Sequence, residues 1–314
     1  MEKGDTNTDH KAPLVSLGVP VYNGAKYLAE CLDSILDQTF QDWECVIVNN
    51  SSTDNTKEIA LQYVARDARF TLHETSELLP ITPNWNFCFS KTNPGSKYFK
   101  LILADDWIFR EYLEKMVDVL EKHPEAGFCS AFMIDDTHVS CDGLDIYKGN
   151  LFNGKEILVK QLKGDLIVTG SANTILYNRS VLEQLSYFPV IYQADTFHMD
   201  TYLSYELLNM ADMGFVFQVL SYTRRHNETV TKNVTNQLKT GFFFQERALF
   251  DFKEIDPELG ILYKRLRSRY AYSLLKHRLS RNRKLVSWHT ENLKRPITFG
   301  EYVTAVLKRI INRL

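Results

Sequence analysis

Residues 19–56 run VPVYNGAKYLAECLDSILDQTFQDWECVIVNNSSTDNT, and the fold class of the chain is predicted from this stretch. It begins inside an apolar run at residues 14–20 and passes through a second apolar run, WECVIV, at residues 43–48. Between the two runs, apolar side chains recur at helical spacing, at Leu28, Leu32, Ile35 and Leu36. A strand, a helix and a strand within about forty residues predict a βαβ unit, and therefore a parallel sheet.

A third apolar strand is predicted over residues 98–103, and two acids, Asp105 and Asp106, follow it. In open α/β sheets, ligands bind beyond the carboxyl ends of the parallel strands. We therefore expect the strand ends at Pro20, Asn49 and Asp105 to converge on one crevice. Adjacent carboxylates in such a place can divide two tasks, one binding a sugar hydroxyl and the other a hard cation. The alternative is an ordinary surface turn, where Asp-Asp pairs are common.

The remainder of the chain predicts an α/β domain followed by a helical extension. Strands are predicted at residues 127–134, 175–177 and 215–219, and helices at residues 113–120 and 201–210. Beyond about residue 235 the pattern is helical. We expect a tail at residues 1–12, a domain with a mostly parallel mixed sheet flanked by helices at residues 13–232, and a helical, basic extension at residues 233–314.

Composition excludes several classes of protein. With 44% hydrophobic and 24% charged residues, 314 residues can bury a large core, so a disordered chain is not expected. The five cysteines are scattered and show no metal-ligand spacing, which disfavours a disulfide framework and a zinc site. The first dozen residues lack an apolar leader core, and no run of about eighteen apolar residues is present. These features favour a cytoplasmic protein.

Charge is distributed unevenly along the chain. Residues 261–314 hold 14 Lys and Arg against 2 Asp and Glu, a balance of +12, and since the whole chain has a net charge of −2, the other residues carry −14. Residues 301–314, EYVTAVLKRIINRL, combine helical apolar spacing with basic side chains. Such a helix is suited to peripheral contact with the inner, cytoplasmic face of an anionic membrane. It is equally suited to packing on the preceding domain or to a dimer contact. Only charge favours nucleic acid, so no nucleic-acid partner is expected.

The stretch 19–56 resembles the opening of the inverting glycosyltransferases of family 2, which have the GT-A fold. The resemblance continues through Asn84-Trp85-Asn86, through KYFKLILADDW at residues 97–107 and through GFVFQVLSYTRRHNETVT at residues 214–231. It covers roughly residues 13–232, and no Gly-rich phosphate loop competes with it. It implies transfer of a sugar from a nucleotide-diphosphate donor to a hydroxyl acceptor, in the synthesis of bacterial-type surface polysaccharide or glycolipid.

The resemblance also implies which residues hold the nucleotide. Pro20 and Tyr22 match the positions that surround the nucleobase, Asn50 matches an acid that contacts the base, and Asn86 matches a polar position that points toward the nucleotide. The family usually has Asp-Asp or Asp-Asn where this chain has Asn49-Asn50. A uracil imide N–H can still bond to an amide oxygen, so UDP- or dTDP-sugars are the favoured donors. In the alternative interpretation, the two asparagines only shape a turn.

By the same resemblance, Asp105 contacts the ribose or the donor sugar, and Asp106 binds the metal that bridges to the diphosphate. Mg²⁺ or Mn²⁺ is expected, because both favour oxygen ligands and retain waters and phosphates. His226 matches a late histidine that completes the metal site or faces the diphosphate, and Arg224 is placed to neutralise the leaving diphosphate. The alternatives are a structural histidine and a solvated arginine.

Asp200, ahead of the predicted helix 201–210, matches the acidic element that supplies the catalytic base in the family. Asp195 is the second candidate for this role. The structural alternative for Asp200 is the N-cap of that helix. Trp85 and Trp107 are expected in the core rather than as sugar platforms.

Two alternatives to sugar transfer onto a hydroxyl acceptor stay open. Transfer to a polyprenyl phosphate needs no hydroxyl activation, and it would make Asp200 dispensable. A catalytically degenerate subunit that only binds a nucleotide sugar is supported by Asn49-Asn50 alone. A dehydrogenase is disfavoured because no glycine fingerprint follows the first strand.

Overall fold

The structure is a computed structural model that describes part of the chain. The described residues are 11–135, 138–140, 143–168, 171–185, 188, 198–225, 237–281, 283, 286–287, 290, 293 and 295–311.

One mixed sheet organises the described residues. Its strands are β1 (Val15–Val21), β2 (Trp43–Asn49), β3 (Phe70–Glu74), β4 (Tyr98–Leu101), β5 (Trp107–Ile108), β6 (Ala126–Asp135), β7 (His138–Ser140), β8 (Leu151–Phe152), β9 (Leu176–Asn178) and β10 (Asp212–Thr223). Their order is β3-β2-β1-β4-β9-β6-β10-β5, with β7 on β6 and β8 on β10. The predicted mostly parallel mixed sheet is confirmed.

The first half of the sheet is parallel. Strand β1 lies between β2 and β4 and is parallel to both, and β2 is also parallel to β3. Strands β1 and β2 are almost wholly buried, which explains why their sequences are continuous apolar runs rather than alternating ones. The helices of this half are α1 (Leu28–Leu36), α2 (Thr56–Arg66), α3 (Ile81–Lys91) and α4 (Tyr112–Lys122). Helix α1 connects two parallel strands, so the predicted βαβ unit is confirmed.

The second half of the sheet is mixed. The short strand β9 is antiparallel to both of its neighbours, β4 and β6, whereas β6 and β10 are parallel. The helices of this half are α5 (Gly154–Lys163), α6 (Arg179–Leu182) and α7 (Met199–Met210). Insertion of β9 brings the segment before it, residues 171–175, beside β4 and β10.

Core side chains form two large clusters, one on each face of the sheet. On β4, Tyr98 belongs to the first cluster, whereas Phe99 and Leu101 belong to the second. Successive side chains of a strand point to opposite faces, so this strand is covered on both sides.

Three of the boundaries that differ from the sequence prediction lie near the two acids or Asp200. Strand β4 ends at Leu101 instead of residue 103, because the chain turns there and Asp106 N donates to Leu103 O at 3.0 Å. Strand β10 is longer than predicted, since it pairs along nearly all of β6. Helix α7 begins at Met199, two residues earlier than predicted.

Among the described residues of the C-terminal part, three helices occur, α8 (Gln237–Phe252), α9 (Pro257–Leu279) and α10 (Phe299–Ile311). Helices α8 and α9 supply side chains to the second core cluster, among them Leu249 and Leu259. The predicted helical extension is therefore confirmed, and it packs on the sheet domain. The predicted boundary between residues 232 and 233 lies outside the described residues. Within the described part of the chain, no helix combines the length and apolar character needed to cross a membrane.

Candidate active site

The loops that follow β1, β2 and β4 meet at one edge of the sheet. Asn50 N donates to Val21 O at 2.8 Å, and Gly24 N donates to Thr56 Oγ1 at 2.9 Å. A Cβ at Gly24 would lie 2.4 Å from a methyl group of Val21 and 3.8 Å from Ala104 Cβ. Glycine is therefore required where the first loop passes over its own strand and beside the loop that carries the two acids.

Tyr22 and Pro20 differ in their access to this edge. The side chain of Tyr22 is 48% exposed, so its ring is available to a ligand. Pro20 is buried within β1, so it presents little surface to a nucleobase. The predicted role of both residues at the base stays a prediction.

The Asn50 side chain is used to hold the chain segment after β3. Its Oδ1 accepts from Leu79 N at 2.9 Å and from Thr75 Oγ1 at 3.1 Å, and its Nδ2 donates to Leu79 O at 2.9 Å. An amide has two acceptor lone pairs and two N–H donors, so one N–H remains for a base. The expected bond from a uracil imide N–H would find an oxygen that already accepts twice. Contact with the base therefore stays a prediction that rests on the remaining N–H.

Asp106 is buried, with 1% exposure, and its carboxylate accepts two hydrogen bonds from the end of β10. Oδ1 accepts from Arg224 N at 2.8 Å, and Oδ2 accepts from Thr223 Oγ1 at 3.1 Å. Burial raises the pKa of Asp106 well above its usual value, and the like charge of Asp105 raises this pKa further. A cation beside this pair would relieve both effects, so the electrostatics favour a cation at this position.

The donors present fit Mg²⁺ or Mn²⁺ held mainly by the ligand's phosphates. Such ions are commonly bound by one or two carboxylates, with phosphates and waters completing the shell, and Asp105 and Asp106 supply two carboxylates. No cluster of three or more His, Cys, Asp or Glu side chains that could hold a metal occurs among the described residues. The predicted third participant, His226, lies outside the described residues.

Arg224 is engaged within the protein. Its guanidinium pairs with Glu30 of α1, and its Nε donates to Asp105 O at 3.2 Å. The same group lies over the rings of Tyr27, at 4.5 Å, and Trp107, at 5.0 Å. Arg224 therefore ties α1 to the loop of the two acids. Neutralisation of a diphosphate would require exchange of the Glu30 carboxylate for a phosphate, and this role stays a prediction. Nothing in the sequence singled out Glu30.

Asp200 lies in the first turn of α7. The N-cap of that helix is His198, which adopts a left-handed φ of 61° and makes no side-chain cap bond, so the N-cap alternative for Asp200 is wrong. Asp200 Oδ2 accepts from Ala172 N at 3.2 Å, and Oδ1 accepts from Thr201 N at 2.8 Å. Burial raises the pKa of Asp200, which is the direction that makes a carboxylate a better base near neutral pH.

The second candidate base, Asp195, lies outside the described residues.

The turn at residues 171–175 connects Asp200 to Asp106. Ala172 N holds the Asp200 carboxylate, and the next residue, Asn173, donates from Nδ2 to Tyr222 O at 3.0 Å. Tyr222 directly precedes Thr223, the last residue of β10, and Arg224, which together hold Asp106. The 171–175 turn and the end of β10 therefore connect the two acids, which themselves lie on other elements.

A buried lysine holds this turn. Lys100 of β4 has no exposed surface, and its Nζ donates to Ala172 O at 3.1 Å, Asn173 O at 2.6 Å and Ile175 O at 3.3 Å. Desolvation lowers the pKa of Lys100, and the nearby Asp106 charge opposes this effect. Sequence reasoning missed Lys100, although a single lysine inside the apolar strand YFKLIL was the signal that could have found it.

Replacing Lys100 with Met should lower the free energy of unfolding by about 2 kcal/mol, because three buried carbonyls would lose their donor. Urea denaturation measures this loss. The matched control is Lys97→Met, which removes an exposed ion pair with Glu121 and should cost less than about 1 kcal/mol. Equal losses in the two variants would show that Lys100 does not hold the turn.

Asn86 forms two hydrogen bonds with one backbone unit. Its Nδ2 donates to Phe188 O at 3.1 Å, and its Oδ1 accepts from Phe188 N at 3.0 Å. The neighbouring Trp85 ring meets the Phe188 ring edge to face, with centroids 5.3 Å apart. Both residues thus anchor the chain around Phe188, and the predicted approach of Asn86 to a nucleotide stays a prediction.

Comparison with known proteins gives one family. The family model described as glycosyl transferase family 2 matches residues 16–186, which is more than half of the chain. An uncharacterized glycosyltransferase of Rickettsia typhi is 28% identical over 236 residues, a match that covers 73% of this chain and 69% of that protein.

Solved structures share the fold. The S. aureus protein TarS in complex with UDP has a TM-score of 0.62 and 18% identity, over 94% of this chain and 82% of that chain. TarS has also been solved with UDP-GlcNAc. The mannosyltransferase PcManGT of Pyrobaculum calidifontis, in complex with GDP-Man and Mn²⁺, has a TM-score of 0.51 and 18% identity, over 96% of this chain and 88% of that chain. At these identities the likeness concerns the fold, which is GT-A.

Proposed function

This chain belongs to glycosyltransferase family 2, and we propose that it transfers a sugar from a nucleotide-diphosphate donor to a hydroxyl acceptor with inversion. The observation that carries the proposal is the connection between a buried acid, Asp106, and a half-buried acid, Asp200. Asp106 and Asp200 lie on different elements, but both are held by hydrogen bonds that lead through the 171–175 turn and the end of β10.

In the proposed reaction, Asp200 accepts the proton of the acceptor hydroxyl while the hydroxyl oxygen bonds to the anomeric carbon. The bond from that carbon to the diphosphate oxygen breaks, and its electron pair leaves with the diphosphate. Attack opposite the leaving group inverts the configuration. A divalent cation, when bound by Asp105 and Asp106, would neutralise charge on the diphosphate. The proton ends on Asp200, so charge and atoms balance.

The donor that we propose is a UDP- or dTDP-sugar. TarS, which shares the fold, has been solved with UDP and with UDP-GlcNAc, whereas PcManGT has been solved with GDP-Man. The free N–H of Asn50 could meet a carbonyl oxygen of uracil or thymine, and the exposed Tyr22 ring could stack on either base. The remaining roles proposed for Pro20, Asn86, Arg224 and His226 follow the family positions.

The acceptor that we propose is a glycan or a lipid-linked glycan, in surface polysaccharide or glycolipid synthesis at the cytoplasmic face of a membrane. A hydroxyl acceptor needs a base, whereas a phosphate acceptor needs none, and the carboxylate of Asp200, held by Ala172 N and Thr201 N, supplies a candidate base. For the domains we propose a tail at residues 1–12, a GT-A domain at residues 13–232 and an extension at residues 233–314.

Thermal unfolding with nucleotides tests the donor and the metal together. A ligand that binds only the folded protein stabilises it, and at a concentration a hundredfold above Kd it should raise Tm by roughly 5 °C. We expect UDP with Mn²⁺ to produce this shift, and GDP or ADP with Mn²⁺ to produce less. An equal shift from UDP without metal would show that donor binding does not need the cation. No shift from any nucleoside diphosphate would contradict the proposed donor site.

Hydrolysis separates an enzyme from a binding subunit. Slow release of UDP from a UDP-sugar, stimulated by Mn²⁺, would exclude a subunit that only binds the nucleotide sugar.

A further inference from the structure

The rotation of helix α10 about its own axis is set by Glu301. Thr298 and Glu301 form a capping box, in which Thr298 N donates to Glu301 Oε2 at 2.8 Å and Glu301 N donates to Thr298 Oγ1 at 3.3 Å. The same carboxylate forms an ion pair with Arg267 of α9 at 3.0 Å, and the Arg267 side chain is only 1% exposed. This pairing lowers the pKa of Glu301 to about 2, because the folded state strongly favours the ionised carboxylate.

With this rotation, α10 packs on α9 and on the small core cluster of the C-terminal helices through a face of small and polar-tipped residues. Ala305 is buried, and Tyr302 packs against the small core cluster that contains Phe243 and Tyr270. The opposite side of α10 carries an apolar stripe that points away from the domain. Its members are Phe299 (83% exposed), Val303 (40%), Leu307 (51%), Ile310 (52%) and Ile311 (66%). We call these five residues the α10 stripe.

The sequence alone allows three interpretations of this helix: contact with an anionic membrane, packing on the preceding domain, and a dimer contact. The structure shows that α10 is packed, and that the packed face is not the apolar stripe. Helical spacing of about 100° per residue places the five side chains within one third of the helix circumference. An exposed apolar surface of this kind marks a site of contact with another molecule.

Basic side chains flank the stripe. Lys308 and Arg309 are exposed on α10, and the Arg309 guanidinium lies over the Tyr272 ring of α9 at 4.7 Å. Lys276 Nζ lies over the same ring at 5.2 Å. Arg265, Arg269 and Lys276 are exposed and lie on the side of α9 that carries Tyr272. We call these three residues the α9 basic face, and it is continuous with α10 through Tyr272.

We propose that the α10 stripe and the α9 basic face together bind the surface of an anionic lipid bilayer. Apolar side chains would enter the boundary between headgroups and acyl chains, while the flanking cations meet lipid phosphates. The segment 261–314 carries +12 and the other residues carry −14, so an anionic surface attracts the C-terminal part and repels the remainder. Charge therefore sets the orientation of the protein, with its C-terminal helices toward the lipid.

Two other occupants of the stripe fit the chain less well. A second copy would bring two segments of +12 together, and this repulsion opposes the pairing of their apolar stripes. Residues 1–10, MEKGDTNTDH, contain only Met1 as a large apolar side chain, so they cannot cover five apolar residues. An anionic bilayer matches both the apolar and the charged character of this surface. The inference does not depend on the proposed sugar transfer.

Flotation with lipid vesicles tests the proposal on the full chain. The wild type should bind vesicles that contain phosphatidylcholine and phosphatidylglycerol in roughly equal parts, and should not bind pure phosphatidylcholine. Leu307→Glu, alone and with Ile310→Glu, should weaken binding by roughly tenfold or more per substitution. The matched control is Leu61→Glu on α2, another exposed leucine on a helix, which should leave binding unchanged.

A second pair of variants tests the charges. Arg265→Gln and Arg269→Gln should each weaken binding to the anionic vesicles by roughly fivefold at low salt, and high salt should reduce binding of the wild type. Failure of the wild type to bind, or equal binding by the wild type and Leu307→Glu, would overturn the proposal. So would a dimer, seen by light scattering, that Leu307→Glu converts to a monomer. Unchanged thermal unfolding of each variant excludes loss of the fold as the cause.

Discussion

Asp106→Asn should reduce sugar transfer by about a thousandfold or more and leave the fold intact. Asparagine has the shape of aspartate, so its Oδ1 can still accept from Arg224 N and its Nδ2 can donate to Thr223 Oγ1. The hydrogen bonds that hold the end of β10 are thus retained. Only the negative charge is lost, and with it the attraction for a divalent cation.

The same substitution should not lower stability near neutral pH. Burial raises the pKa of Asp106 in the folded state above its unfolded value, so the folded protein binds this proton more tightly. The stability of the wild type therefore falls as pH rises from the unfolded pKa to the folded pKa, and the destabilisation is complete above the folded pKa. Asparagine removes this contribution.

Urea denaturation across pH, in the presence of a chelator, checks the second part of this prediction. The variant should be at least as stable as the wild type at neutral pH, and the difference should shrink as the solution becomes acidic enough to protonate Asp106. The matched control is Asp118→Asn on α4, an exposed partner of Lys122, which should leave transfer unchanged. Full activity in Asp106→Asn would remove this residue from the mechanism.

Asp200→Asn should lower transfer to a hydroxyl acceptor by about a hundredfold to ten-thousandfold, the range that general base catalysis contributes. The amide has one acceptor oxygen, so it can keep only one of the bonds from Ala172 N and Thr201 N. With that oxygen on Ala172 N, the 171–175 turn keeps its place and the bond from Thr201 N, in the first turn of α7, is lost. The loss should appear in kcat more than in KM, because the base acts in the transition state and not in donor binding. The exposed Asp165 gives the matched control Asp165→Asn.

The pH profile distinguishes a base from a structural carboxylate. A base must be ionised, and burial raises the pKa of Asp200, so the rate of the wild type should rise with pH until Asp200 is ionised and then level off. This acid limb should lie above the range of an ordinary aspartate and should be absent from Asp200→Asn. Transfer to a polyprenyl phosphate would proceed at equal rates in the two proteins. This result would show that the sugar is transferred to a phosphate and not to a hydroxyl.

Local patterns were sufficient for the parallel half of the sheet. Strands β1 and β2 are continuous apolar runs, and α1 between them has its apolar residues on one face, so each element could be recognised within its own segment. Glu30 shows the limit of this approach. It lies on the exposed side of α1, and only the return of the chain 194 residues later brings Arg224 to it.

The amides of the candidate site show a second limit. Asn50 and Asn86 were assigned to ligand contacts by family position, but their side chains bond to the backbone of Leu79 and Phe188. A sequence motif shows that an amide side chain is present. It does not show how many of the donors and acceptors of that amide already bond to other groups in the folded protein.

Short segments of sequence are enough to predict the family, the α/β class, the two adjacent acids after a buried strand and the basic, helical C-terminal part, because each depends on residues close together in the chain. Contacts between distant segments are needed to show that Lys100 holds a turn 72–75 residues away, and that Glu301 pairs with Arg267 while the apolar stripe of α10 faces outward. Burial, pKa and helix rotation depend on the groups surrounding a side chain, and distant segments supply those groups.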